Sequence, residues 1–185
     1  MNTGTKPKVF IAGSRRLPRL NADVRRRIDN IVNQGFTVIV GDANGADRAV
    51  QEYLSGKQSA DVIVFCMEDS CRNNIGDWPT RMIEATDPGR KDFHYYSTKD
   101  RAMAAEADYA LMLWDGESRG TLRNIEDLVE RGKPVVVYIS PQKSFSTLRS
   151  KNDLIRMLSA LNGPSAKARE LSDRGERSRK LQRSF

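Results

Sequence analysis

Five short apolar runs divide the first 140 residues of the chain. A run of this kind, bounded by turn residues, is typical of a buried β-strand. The predicted strands are residues 8–12, 36–40, 61–65, 109–114 and 135–139.

Helical periodicity occupies most of the sequence between these strands. In residues 21–34 apolar positions recur on one face of a predicted helix. Asn21, at its start, is a residue type that is favoured as a helix N-cap. Strands that alternate with helices form parallel sheets through right-handed crossovers. The pattern therefore predicts an α/β fold with a mostly parallel, five-stranded sheet, for which we consider the strand order 3-2-1-4-5. Further helices are predicted near 46–54, 97–107 (capped by Ser97 or Thr98), 121–131 and 152–161.

Residues 67–96 interrupt this alternation with a long polar connection, in which a short helix is predicted near 80–85. A connection of this length inside a compact domain is usually functional, so we expect a lid or a pocket wall. Trp78 could stack on a base while Arg81 contacts a phosphate. Alternatively, Trp78 anchors the connection to the core.

The net charge of +7 lies almost entirely in the C-terminal part of the chain. Residues 149–185 contain ten Lys and Arg against four Asp and Glu, whereas residues 1–148 are nearly neutral. We predict one α/β domain over 1–148, a helix over 149–163 and a basic, disordered tail over 164–185. The tail could contact nucleic acid phosphates nonspecifically, in a salt-dependent way, or it could stay solvated.

Several classes of protein are disfavoured. No apolar run reaches the roughly 18 residues of a membrane helix, and the N-terminus carries no secretory signal. Cys66 and Cys71 cannot form a disulfide framework and fit the reducing cytosol, so we expect a cytoplasmic protein. With His94 their spacing matches no familiar zinc site, so no metal is expected, and no cofactor is expected either. His94 is a candidate general acid–base or, alternatively, a packed side chain.

Three glycine-bearing turns follow the first, second and fourth predicted strands, at residues 13–16, 41–47 and 115–121. Each is placed to open a helix. Amides at a helix N-terminus attract anions, and glycine lets a ligand approach the backbone closely. A doubly wound sheet binds its ligand where the strand order reverses, which would bring the first and third turns side by side. The sequence predicts a composite pocket for a phosphorylated small molecule such as a nucleotide.

Most of the predicted ligand-binding residues belong to these turns. Ser14 and Arg15 can supply a hydroxyl and a guanidinium to a phosphate, and Asp42 or Asp47 can accept from a ribose hydroxyl or a base amine. Alternatively, the glycines serve tight turning alone, Asp47 favours its helix dipole and Asp115 caps a helix. The full set is Gly13, Ser14, Arg15, Gly41, Asp42, Gly45, Asp47, Trp78, Arg81, Asp115, Gly116, Ser118, Gly120, Thr121 and Asn124.

At these residues the chain resembles the SLOG superfamily, which includes DNA-processing protein A and the "lonely guy" nucleotide phosphoribohydrolases. Residues 13–15 look like its glycine-serine-arginine signature, and residues 41–47 are similar to the Gly-x-Ala-x-Gly-hydrophobic-Asp turn of DNA-processing protein A. Residues 115–121 resemble the late glycine-threonine turn of the phosphoribohydrolases, and residues 100–108 a helix-to-strand segment of small bacterial and phage members. The resemblance implies a Rossmann-like three-layer domain that binds a nucleotide, and a homodimer with the pocket near the subunit interface.

One position departs from the phosphoribohydrolases. In that family a glutamate thought to be catalytic follows the late turn, and the corresponding residue here is Asn124. An amide cannot serve as a carboxylate nucleophile or base, and Glu126 lies about 200° further around the helix, on another face. The remaining candidate catalytic carboxylates are Asp115, Glu117 and Asp77.

We therefore interpret the chain as a protein that binds or senses a nucleotide or a nucleotide-derived small molecule. Two alternatives stay open. The first is a hydrolase that cleaves the N-glycosidic bond of a nucleotide, and the second is a single-stranded DNA-binding module like DNA-processing protein A.

Overall fold

The computed structural model of the protein describes residues 5–85 and 93–162. The predicted basic tail, 164–185, lies outside the described residues, as does the side chain of His94. In chain order the elements are β1 (Lys8–Gly13), α1 (Ala22–Asn33), β2 (Thr37–Gly41), α2 (Ala46–Ser55), β3 (Asp61–Met67), β4 (Thr80–Ile83), α3 (Phe93–Glu106), β5 (Tyr109–Trp114), α4 (Arg119–Glu130), β6 (Val135–Ile139), β7 (Ser144–Leu148) and α5 (Lys151–Asn162).

The sheet has the order β4-β3-β2-β1-β5-β6-β7. All neighbouring strands run parallel except β6 and β7, which are antiparallel. The mostly parallel α/β fold is thus confirmed, and the five predicted strands occur in the order 3-2-1-4-5. Two strands that the sequence analysis did not anticipate, β4 and β7, extend the sheet to seven strands.

The short helix predicted near residues 80–85 is wrong, because this segment forms β4. Its Cα register pairs Thr80 with Val64 and Ile83 with Met67 of β3. The edge of β3 offers backbone donors and acceptors that must be satisfied, and β-branched Thr80 and Ile83 suit an extended backbone. The hydrogen-bonding partner that decides the conformation is far away in the sequence.

The hydrophobic core consists of two layers, one on each face of the sheet. Successive side chains of a strand point to opposite faces, so Phe10 packs with α3, α4 and α5 while Ile11 packs with α1 and α2. Both side chains are fully buried. This arrangement confirms the three-layer architecture.

Two helix starts differ from the prediction. The α3 helix begins at Phe93 rather than at Ser97 or Thr98, since burial of Tyr95 extends it toward the N-terminus. The α4 helix begins two residues earlier than predicted, with Ser118 as its N-cap. The start of α1 is as predicted, because the Asn21 side chain accepts from the amide of Val24 at 2.9 Å.

Cys66 and Cys71 are joined as a disulfide, with their Cα atoms 5.1 Å apart. This differs from the reduced cysteines that the sequence analysis expected. The chain turns back directly after β3, where Met67 forms an isolated antiparallel bridge with Ser70, and this turn brings the two cysteines together. Among the described residues, no helix is both long and apolar enough to cross a membrane.

Candidate functional site

A cleft of about 730 Å³ opens at the carboxyl ends of β1 and β5. These two strands are neighbours in the sheet, but the helices that follow them pack on opposite faces, so the strand order reverses between them. Ligands of doubly wound folds bind at such a position. The cleft lining includes ten of the predicted residues: Gly13, Ser14, Arg15, Asp47, Asp115, Glu117, Ser118, Gly120, Thr121 and Asn124.

Ser14 connects all three glycine-bearing turns. Its amide donates to the carbonyl of Leu113 at 2.9 Å, and its hydroxyl donates to Asp115 Oδ2 at 2.6 Å. Its carbonyl accepts from the amide of Ala46, the first residue of α2, at 3.1 Å. Because Ser14 is buried, these bonds hold the three turns in a fixed relative position.

The third turn forms the N-terminus of α4 on one wall of the cleft. Asp115 Oδ1 accepts from the amides of Glu117 and Ser118 at 3.0 and 2.7 Å. Burial alone would raise the pKa of Asp115, but these amides and the Ser14 hydroxyl keep it below its ordinary value. Asp115 therefore orders the turn as an ionised acceptor and is a poor proton donor. The Ser118 hydroxyl accepts from the Thr121 amide at 3.3 Å, and the amides of Arg119 and Gly120 precede it at the helix N-terminus, where the helix itself offers them no acceptor.

The opposite wall carries two arginines and an aromatic ring. The guanidinium of Arg15 lies 5.8 Å from the ring centroid of Tyr96, and that of Arg72 lies 4.8 Å from it. Tyr96 belongs to α3, whereas Arg72 belongs to the polar connection after β3. Sequence reasoning missed both Tyr96 and Arg72, and the connection does supply a wall of the pocket.

A group of buried charges lies beside this wall. Asp42 accepts from the Arg72 guanidinium at 2.8 Å and forms a close ion pair with Lys99, whose side chain is also buried. Burial would raise the pKa of Asp42, but the Arg72 hydrogen bonds and the Lys99 charge hold it well below its usual range. Asp42 thus compensates two cations, which keeps the loop after β2 attached to α3.

Two further carboxyl groups, Asp47 and Asp100, line the cleft near Lys99. Burial raises the pKa of Asp47 to about 7, in spite of the Lys99 charge, and the Asp100 charge adds to the rise. Burial also raises the pKa of Asp100, although Lys99 and a hydrogen bond from Asn124 oppose it. A partly protonated carboxyl group can donate to, as well as accept from, a ribose hydroxyl or a base.

The predicted residues Gly41, Asp42, Gly45 and Gly116 do not line the cleft but support its walls. Gly45 has a φ of 84°, and a Cβ atom there would lie 2.4 Å from the Arg15 backbone. At Gly41 a Cβ atom would lie 2.4 Å from Asp47 Oδ2. Gly45 therefore lets the first and second turns pack together, whereas Gly41 leaves room for the Asp47 carboxylate and the Lys99 ammonium. Gly116 has a φ of 85°, which the third turn requires.

The structure places Trp78, Arg81 and Asp77 outside the cleft. Trp78 packs against the apolar cluster beneath α1 and α2, and its backbone amide and carbonyl both bond to the Asn74 side chain. The Nη1 atom of Arg81 lies 3.5 Å from Glu106 Oε2, at the amino-terminal side of the segment that joins α3 to β5. The packing of Trp78 agrees with its interpretation as an anchor of the polar connection.

Asn124 has a carboxylate neighbour that sequence reasoning missed. Its amide donates to Asp100 Oδ2 at 3.2 Å, and both side chains line the cleft. A glutamate at position 124 would bring a second negative charge toward Asp100, whereas an amide can bond to it. Glu117 lies on the exposed rim, paired with Arg16, and Glu126 lines a neighbouring groove instead of the cleft. The resemblance in residues 100–108 was the sequence signal for this part of the site.

No protein-family model matches the chain, and no curated protein matches it in sequence. Solved structures of DNA processing protein A do match its fold. The protein from Helicobacter pylori, which has a single-stranded DNA binding mode, is 18% identical with a TM-score of 0.54, over 72% of this chain and 65% of that one. The protein from Streptococcus pneumoniae is 16% identical with a TM-score of 0.51, over 71% of this chain and 50% of that one.

This chain therefore spans between half and two thirds of the length of these two structures. At such low identity the likeness shows the fold. The chain has the Rossmann-like fold of DNA processing protein A, as the resemblance to the SLOG superfamily implies.

Proposed function

We propose that the cleft binds a nucleotide or a nucleotide-derived small molecule through its phosphate. The observation that carries the proposal is the position of Ser14, whose hydrogen bonds hold Arg15 and the N-terminus of α4 around one cavity. A helix N-terminus and a guanidinium both favour an anion, and the guanidinium matches phosphate geometry. The phosphate would lie between Arg15 and Gly120.

The rest of the cleft suits a nucleoside. Asp47 and Asp100 offer acceptors to ribose hydroxyls or base amines, and their raised pKa values reduce repulsion of a nearby phosphate. With about 730 Å³ the cleft falls within the range of about 300–1,000 Å³ that is typical of small-ligand sites. Binding without cleavage is favoured because Asn124 stands at the position of the phosphoribohydrolase glutamate.

Isothermal titration of the full chain with nucleoside monophosphates and the matching nucleosides tests this proposal. We expect the monophosphates to bind more tightly, and Arg15→Ala to weaken their binding about tenfold or more, because a charge-assisted hydrogen bond contributes about 1.5–3 kcal/mol. Arg48→Ala is the matched control, since Arg48 is exposed on α2 and pairs with Glu52. Equal binding of nucleosides and monophosphates, or no effect of Arg15→Ala, would contradict the proposal. Release of free base would instead support the hydrolase.

A second candidate function, single-stranded DNA binding, is favoured by the fold match to the Helicobacter pylori protein. Binding that uses the tail should weaken steeply with salt, because each neutralised phosphate releases counterions. The test compares an oligothymidylate titrated at several salt concentrations against the full chain and a tail variant. The variant replaces Arg174, Arg177, Arg179, Lys180 and Arg183 with Gln. A weaker dependence of the affinity on salt in the variant would support this function. An unchanged dependence would show that the tail does not contribute to DNA binding.

A further inference from the structure

A second groove, of about 690 Å³, lies between α3, α4 and α5. Ser97 and Asn124 line both this groove and the cleft, so the two spaces meet at these side chains. Each space alone has the size of a small-ligand site. A nucleoside monophosphate would therefore occupy one of them and leave the other to solvent.

We propose that the cleft and the groove together bind one phosphodiester-linked dinucleotide unit, with the first nucleotide in the cleft and the second nucleoside in the groove. The proposal rests on the proposed function of the cleft. It adds a second subsite, and it defines the ligand as one that contains two nucleosides.

Two arginines of the groove lie close to the boundary between the two spaces, where the cleft side carries Asp100, bonded to Asn124. Arg101 donates to the Ser97 hydroxyl at 3.2 Å, which holds its guanidinium beside the shared residue. Arg123 precedes Asn124 on α4 and is exposed on the groove. Two guanidinium groups at this boundary suit the phosphate that links the two nucleosides.

The far end of the groove has different chemistry. Val129, Leu154 and Ile155 supply apolar surface, and Ile155 is 59% exposed, so a base could cover it. Three carboxylates also line the groove, namely Glu126, Asp127 and Glu130.

Cations offset two of these three carboxylates. Asp127 bonds to Arg131 at 3.0 Å, and Glu130 pairs with Lys151 at 3.0 Å. Along α4 the groove carries Arg123 beside Asn124, then Glu126 and Asp127, and then the apolar Val129 next to Glu130, over about 9 Å at 1.5 Å per residue. This sequence of environments matches a phosphate followed by a nucleoside, whose hydroxyl and amino groups can donate to the carboxylates.

The test compares AMP with the dinucleotide pApA by isothermal titration of the full chain. We expect pApA to bind at least about tenfold more tightly, because it fills both spaces. The double variant Arg101→Ala/Arg123→Ala should reduce pApA affinity to about that of AMP and leave AMP affinity unchanged. Ile155→Ala should weaken pApA alone. Arg156→Ala is the matched control, since Arg156 is exposed on α5 and does not line the groove.

The outcomes separate this proposal from the one on which it rests. If AMP and pApA bind equally, with Arg15 needed for both, the groove is not a subsite and the cleft proposal stands. If neither binds, the cleft proposal itself fails. If a hexaadenylate binds far more tightly than pApA, the dinucleotide unit is part of a nucleic acid strand. If the two bind equally, the ligand is a free dinucleotide.

Discussion

The Ser14 hydroxyl donates to Asp115 Oδ2 at 2.6 Å across 101 positions of sequence. The bond ties the end of β1 to the end of β5, the two strands between which the cleft opens. Arg16 and Glu117, the residues two positions further along each turn, also pair with each other. Since that pair is exposed, solvent screens it, and the buried Ser14 bond is the stronger constraint on the geometry of the cleft.

Ser14→Ala should loosen the cleft and lower stability by about 1 kcal/mol, because it removes the bond to Asp115 and one acceptor of the Arg16 amide. Urea unfolding measures the change in stability, and titration with a nucleoside monophosphate should show weaker binding. Ser55→Ala is the control, since Ser55 is exposed at the end of α2 and its hydroxyl donates to the Glu52 carbonyl of the same helix. An unchanged affinity of the Ser14 variant would contradict the proposed role of this bond.

Asp47 should make the free energy of unfolding fall as the pH rises. Its pKa is about 7 in the folded protein, mainly through burial, against an ordinary value of 3.8. The folded state holds the proton more tightly, so the stabilisation is fully present below pH 3.8 and is lost as the pH rises toward 7. Asp47→Asn should therefore be more stable than the wild type by about 1–3 kcal/mol near pH 8, with the difference vanishing toward pH 4.

Urea unfolding between about pH 4 and pH 8 measures this dependence. The control is Asp69→Asn, at an exposed position in the turn after β3. A constant difference between Asp47→Asn and the wild type across this range would show that Asp47 does not retain its proton in the fold.

Gly45→Ala should destabilise the protein by about 2–4 kcal/mol, because a Cβ atom at a φ of 84° is strained and would also overlap the Arg15 backbone. Gly35 supplies a matched control. Its φ is 72°, but a Cβ atom there would meet nothing within 4 Å, so Gly35→Ala carries the conformational cost alone, about 1 kcal/mol. Chemical denaturation of both variants measures the difference. Equal destabilisation would show that the close approach of the first and second turns contributes nothing.

The sequence by itself determined the central sheet and the turns of the cleft. An apolar run such as 36–40 indicates a buried strand, and a glycine at the end of that strand indicates a tight turn into a helix. Both signals are local, so they need no knowledge of distant partners. Right-handed crossovers made the order 3-2-1-4-5 one to consider, and the structure has this order, which brings Ser14 and Thr121 to one cavity.

Only the tertiary structure decided which side chains form the other wall of the cleft. Arg72 and Tyr96 lie in or beside a polar connection without periodicity, and Lys99 resembles a surface residue of an amphipathic helix until its carboxylate partner is known. Burial of Lys99 depends on Asp42, 57 positions earlier, because a buried charge is stable only beside an opposite charge. The conformation of β4 likewise depends on a distant segment, because its backbone pairs with the open edge of β3. Interactions between distant segments decide these features, and no local pattern encodes them.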